Sequence, residues 1–342
     1  MKMCAKLNNN VTVHRLAADL RLKPSESPVQ AVLAYCRRRV AKFIKEFHGN
    51  CSTVAELLEL SANKLDTQII EIGSDLELQE LQARYRNRGE LMFATLDQEL
   101  CRPGDYGITL KLTNRELWEL PYVSIIDSRG PKRQSRYHTK WHEIGHLLIL
   151  TDQSRLAFHR SHDSSQPKSA EESLVDSIAG EMSFYPELIT PHLNGTISFA
   201  KIEELRQRLC PDASLYSAIL NLSKLWPSPC VWVEARLAAK KCEETTQESF
   251  AFREPPERSL RAVHTAANNP ARERGVNIIP RFRVPKSSII SQVFEQRLPF
   301  GEACEDLAWW QSSDGTKLNA CGVHVQAKRI GESVHALVVP SV

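Results

Sequence analysis

The five residues His142-Glu143-Ile144-Gly145-His146 constrain this chain more than any other stretch. On a helix, positions i and i+4 share a face, so both imidazoles point to one place and can grip one ion. Glu143 lies beside them, where a carboxylate could take a proton from a water activated there. Leu147, Leu148, Ile149 and Leu150 follow at once and demand that the helix sit in a core. A dry wall of that kind also strengthens electrostatic interactions. The spacing predicts a helix over Thr139–Leu150, with Thr139 as its N-cap.

A hydrolytic zinc site takes three protein ligands and keeps one position open. The arrangement with a third histidine six residues beyond the motif is excluded, because Asp152 stands there and Ile149 replaces the glycine that arrangement needs. A second helix over Ala170–Tyr185 offers carboxylates instead. Glu172 and Asp176 are four apart and share a face, so Glu172 could bind the metal while Asp176 bonds the far nitrogen of a ligand histidine. Glu171 faces differently and is expected in solvent. His159, His162 and Asp163, in the polar segment between the helices, are the alternative ligands, on a loop that positions side chains less well.

The string Thr139-x-x-His142-Glu143-x-Gly145-His146, then Glu172-x-x-x-Asp176-x-Ile178-Ala179 and Pro186, resembles the ImmA/IrrE family of intracellular zinc metallo-endopeptidases. The resemblance covers roughly residues 28–240 and is strong only at the two motif helices. Ile178 replaces the usual phenylalanine, and Pro186 comes about one residue late. It implies a zincin-like domain, Zn2+ held by His142, His146 and Glu172, and Glu143 as the base for a zinc-activated water. It further implies a protein substrate such as a helix-turn-helix repressor.

At 342 residues the chain is long enough for two or three domains. The expected class is α+β. Residues 1–27 form an extension and 28–195 the metallopeptidase domain with a small sheet. A helical segment fills 196–250, with Ser198–Leu209 and Ala213–Leu225 as a pair resembling a helix-turn-helix and Val231–Lys241 as a further helix. The Pro-Pro and Asn-Asn-Pro steps in 251–275 read as a linker. A β-rich domain over 276–342 would use strands at Val276–Val284, Ser288–Phe294, Ala308–Gln311, Ala320–Lys328 and Ser333–Val339.

Composition narrows the partners. Forty-four basic against 41 acidic residues give a net charge of +3, too balanced to imply nucleic acid. Ten of the basic residues lie in 1–48 against three acids, which suggests a solvated helix face around Arg37, Arg38 and Arg39. The second helix of the pair begins Ala-Ser-Leu-Tyr-Ser-Ala and has few residues suited to reading bases, so direct nucleic-acid binding is not expected. Nine cysteines without a Cys-x-x-Cys pair fit free thiols in a reducing cytoplasm. No run reaches the ~18 apolar residues of a membrane span, and no leader segment is expected. Nucleotide-binding glycine loops and a Gly-x-Ser-x-Gly elbow are missing. The competing expectation is a non-enzymatic regulator, or a DNA- or protein-interaction protein, with a structural zinc.

Overall fold

The computed structural model describes residues 7–8, 10–101, 106–151, 157–160, 168–239, 258–312 and 315–341, with the backbone alone at 157–160. The chain is α+β and divides into two compact units. Unit one comprises Met1–Leu188 and Arg208–Ser214; unit two comprises Ile189–Gln207 and Leu215–Val342.

Unit one begins with α1 (Val11–Asp19), α2 (Pro28–Glu46) and α3 (Val54–Lys64). Thr53 and Glu56 close a reciprocal cap at the start of α3. Then come β1 (Thr67–Ile72), α4 (Asp75–Arg86), α5 (Leu96–Cys101), β2 (Gly107–Lys111) and β3 (Tyr122–Asp127). The motif helix α6 (Arg136–Leu148), strand β4 (Ala157–Arg160) and the helix α7 (Ala170–Met182) complete it. The sheet order is β1-β3-β2-β4, parallel between β1 and β3 and antiparallel elsewhere.

Alternation along the strands sorts its two faces. Ile108, Leu110, Val123 and Ile125 join Leu78, Leu81, Tyr85 and Phe93 in the core beneath α4. The intervening Gly107, Thr109 and Ser124 belong to the opposite face, where Gly107 and Thr109 meet α6. Both faces are thus covered, which is why β3 is buried at every position.

Two glycines let the neighbours of α6 come close. A Cβ at Gly107 would lie 2.7 Å from Thr139 Cγ2 and 2.9 Å from Glu143 Oε1. At Gly145 it would lie 3.1 Å from Val175 Cγ1 on α7. The end of α6 is tied down by α2, where Arg39 donates to the carbonyls of Leu148 at 2.6 Å and Leu147 at 3.3 Å. Arg37 pairs with Glu181 at 2.7 Å. The basic stripe expected to be a solvated face therefore clamps both motif helices.

Several expectations need correction. Thr139 is interior to α6 and donates its hydroxyl to the Ser135 carbonyl, because a 3-10 turn over Gly130–Ser135 starts the helix earlier. The 1–27 extension contributes α1 to unit one. The polar segment after α6 contains β4, paired with β2.

Unit two carries α9 (Phe199–Leu209), which follows the short α8 (Pro186–Ile189), and α10 (Leu215–Leu225). The two long helices are the expected pair. After them come β5 (Val231–Ala238), β6 (Ser259–Ala267), α11 (Asn269–Glu273), α12 (Ile289–Glu295), β7 (Phe300–Asp306), β8 (Gly322–Ile330) and β9 (Ser333–Pro340). They build an antiparallel sheet ordered β6-β5-β9-β8-β7.

The helix expected at Val231–Lys241 is strand β5, since Val231, Val233 and Ala235 alternate into the core. The expected 251–275 linker holds β6 and α11 where it is described. Asn268 makes that segment structural: its side chain accepts from the Cys230 and Ala271 amides and donates to the Trp226 and Ser228 carbonyls. Ser288–Phe294 is helix α12 rather than a strand, capped by Ser288. Val276–Val284 contributes only isolated bridges at Arg283, to Arg261 and Gln311, and Ala308–Gln311 begins inside the 3-10 turn Leu307–Trp309. The β-rich domain therefore begins at β5, not at 276.

Because β5 lies between β6 and β9, a chain cut after residue 250 keeps β5 without either partner. That fragment should aggregate through its open strand edges, whereas the full chain should not. Light scattering after size-exclusion chromatography checks this; a monodisperse fragment would contradict it.

Candidate metal centre

Helix spacing brings the imidazoles of His142 and His146 together on α6, and α7 supplies the carboxylate. His142 Nε2 and His146 Nε2 are 3.1 Å apart. Glu172 Oε2 is 3.1 Å from the first and Oε1 is 3.2 Å from the second. One ligand atom from each residue lies within 4.8 Å of the others. Both histidines are buried and Glu172 is half-buried. Local sequence explains the placement: Ser169 caps α7 by accepting the Glu172 amide, which fixes Glu172 in the first turn.

Asp176 sits one turn further on and its Oδ1 is 3.0 Å from His142 Nδ1. Lys168 donates to its other oxygen at 2.6 Å. An ionised Asp176 requires a proton on His142 Nδ1, so a neutral His142 turns a lone pair at Nε2 toward the cluster. Burial works to raise the Glu172 carboxyl, but hydrogen bonds from His142 and His146 outweigh it and hold the group down to about 2. Burial likewise opposes ionisation of Asp176, and His142 and Lys168 overcome it, holding that carboxyl well below its usual range.

Two imidazole nitrogens and one carboxylate converging in a buried space need a cation or protons among them. The group can hold a metal ion. The three expected ligands are brought together, and Asp176 braces His142 as expected. Glu171 is not wholly solvated: its Oε1 is 3.9 Å from His146 Nδ1. His159 lies on β4 opposite Ile108, and His162 and Asp163 lie outside the described residues.

Glu143 stands apart from this group. It is fully buried on the sheet side of α6, where Thr109 donates to Oε2 at 2.7 Å. Thr109 is 2.8 Å from Ser124, and Ser124 is 3.0 Å from Thr67. A ladder of buried hydroxyls thus crosses β1, β3 and β2 and ends on Glu143. Oε1 of Glu143 is buried with no hydrogen-bond partner. An unpartnered buried carboxylate oxygen is costly, and a water or a proton there would relieve it. The sequence reading missed the ladder. Its signal was one polar residue at the centre of each of two apolar strands, Thr109 and Ser124.

No protein-family model matches this chain, and no curated protein matches it. Among solved structures, a Mycobacterium tuberculosis transcriptional regulator is similar with a TM-score of 0.38 and 12% identity. The match covers 99% of this chain and 80% of that one. Likeness at this level assigns neither a family nor an activity.

Replacing His142, His146 or Glu172 by Ala should each cut metal affinity sharply, and Asp176→Asn should weaken it about 10–100-fold. A zinc competition titration reads both; full affinity in Glu172→Ala would place the third ligand elsewhere. Thr109→Val leaves the Glu143 carboxylate without its donor and should destabilise α6 and β2 by about 1–3 kcal/mol, with Thr109→Ser close to the parent. Hydrogen exchange of those segments in urea is the check, and equal protection in Thr109→Val would remove the ladder's structural role.

Proposed function

We propose that this protein is a zinc-dependent endopeptidase with a zincin-like unit one. The observation that carries the reading is the convergence of His142, His146 and Glu172, with an unpartnered Glu143 oxygen on the same buried helix. The donor set suits zinc: two imidazoles and one carboxylate leave a coordination position for water. When bound, zinc would acidify a water and polarise a peptide carbonyl.

The chain's own residues do the rest. Asp176 orients the His142 ring. Thr109 fixes one oxygen of Glu143 and leaves the other to accept a proton from the attacking water and pass it to the leaving amine. The substrate in this reading is a protein partner, such as a helix-turn-helix repressor, in line with the resemblance of both motif helices to the ImmA/IrrE peptidases. Among the described residues, seven cysteines carry no disulfide, which suits a reducing cytoplasm. No helix among those residues is long and apolar enough to cross a membrane. Direct binding of nucleic acid is not part of the reading.

One observation favours a second reading, a regulator that keeps its metal for structure. Glu143 is fully buried, bonded to Thr109, and outside the ligand group. A carboxylate so placed could serve only to join α6 to the sheet.

Glu143→Gln separates the two. Glutamine preserves shape and is not a ligand, so zinc should stay. The amide cannot accept the proton, and general-base loss typically costs about 10²–10⁴ in rate. Co-expression with candidate repressors should give a cleaved fragment with the parent and an intact partner with the variant. A Glu143→Gln chain that still supports the full cellular response contradicts the peptidase reading.

A further inference from the structure

A cavity of about 260 Å³ opens beside His146, walled by α1, the end of α6 and the start of α7. It lies at or below the ~300–1,000 Å³ of pockets for drug-sized ligands and suits a single side chain. Thr12, Arg15, Leu16 and Asp19 recur at three- and four-residue spacing, so one face of α1 forms a wall. Leu16, Ile149 and Leu174 supply apolar surface.

Among the described residues, the charged groups at this cavity are Asp19, Glu171 and Arg15. Asp19 and Arg15 are exposed and make no ion pair among the described residues, although they stand four apart on α1. Two carboxylates thus oppose one guanidinium. Ile149, Leu150 and Thr151, just past the end of α6, line the same space. Apolar walls with an excess of negative charge match a side chain with an aliphatic stem and a cationic head.

We infer that this cavity is a specificity pocket that takes a lysine or arginine side chain next to the bond that is cut. The inference rests on the zinc endopeptidase reading. The stem runs along Leu16, Ile149 and Leu174, and the head meets Asp19 and Glu171. Arg15 opposes such a guest. The sequence put α1 in an extension outside the metallopeptidase domain, yet here it supplies much of the selectivity.

Amino-acid hydroxamates test this without a known substrate, because they chelate zinc and carry one side chain. The zinc-loaded full chain is titrated calorimetrically with the hydroxamates of arginine, leucine and glutamate. The arginine compound should bind about three- to fivefold more tightly than the leucine compound, the ratio an ion pair at an exposed rim supports. Asp19→Asn should erase most of that ratio and Arg15→Ala should widen it. Equal affinities in the parent, tightest binding of the glutamate compound, or a ratio that survives Asp19→Asn would overturn the pocket assignment. A chain that retains zinc but binds all three alike fails this inference alone. A chain that retains no zinc fails the endopeptidase reading and this inference with it.

Discussion

Unit one depends on how α6 accommodates polar groups that its position takes out of water. His142, Glu143 and His146 are all buried on a helix whose other faces carry Trp141, Ile144 and Leu148. Most buried polar groups in folded proteins are partnered, and an unpartnered one is costly. The two imidazoles find theirs across α7, at Glu172 and Asp176. Glu143 finds its partner across the sheet, at Thr109. Each solution requires close approach, and Gly145 and Gly107 provide it on the two sides. Arg39 then holds the last carbonyls of α6. A helix fixed at its end and on two faces has little freedom to reorient His142 and His146.

The geometry gives α6 two polar edges with separate work. The α7 edge gathers ligand atoms. The sheet edge holds a carboxylate by one oxygen and leaves the other unpartnered. For the proposed hydrolysis this division is useful, because a base held by one oxygen keeps its orientation while its second oxygen remains an acceptor. The same division would suit a structural centre in which Glu143 merely joins helix to sheet. Which description holds turns on the unpartnered oxygen rather than on the ligands.

Much of unit one was legible because its elements carry their own signals. The i, i+4 pairs His142/His146 and Glu172/Asp176 on α6 and α7 are local patterns with local causes. The grouping of His142, His146 and Glu172 followed from the same periodicity. Unit two was less legible. Edge strand β7 has no buried stripe that alternates cleanly, and α12 is a short apolar run that periodicity cannot tell from a strand. The stretch around Asn268 looked like a linker because Asn-Asn-Pro marks a turn. Three of its four hydrogen bonds reach residues about forty positions earlier and are tertiary, while the fourth caps α11. Likewise the hydroxyl ladder joins Thr67, Ser124 and Thr109 from three strands, a juxtaposition set by register. Arg39 read as one of a basic run, and only the packing of α2 on α6 revealed it as a cap.

The central claim is that α6 and α7 hold one metal ion through His142, His146 and Glu172. Anomalous diffraction at the zinc absorption edge, from crystals of the zinc-loaded full chain, tests it most directly. The account predicts one strong peak in unit one, bonded to both Nε2 atoms and a Glu172 oxygen, with Glu143 close by but not coordinating. An absent peak at that position, or one with Glu143 as a ligand, would contradict it.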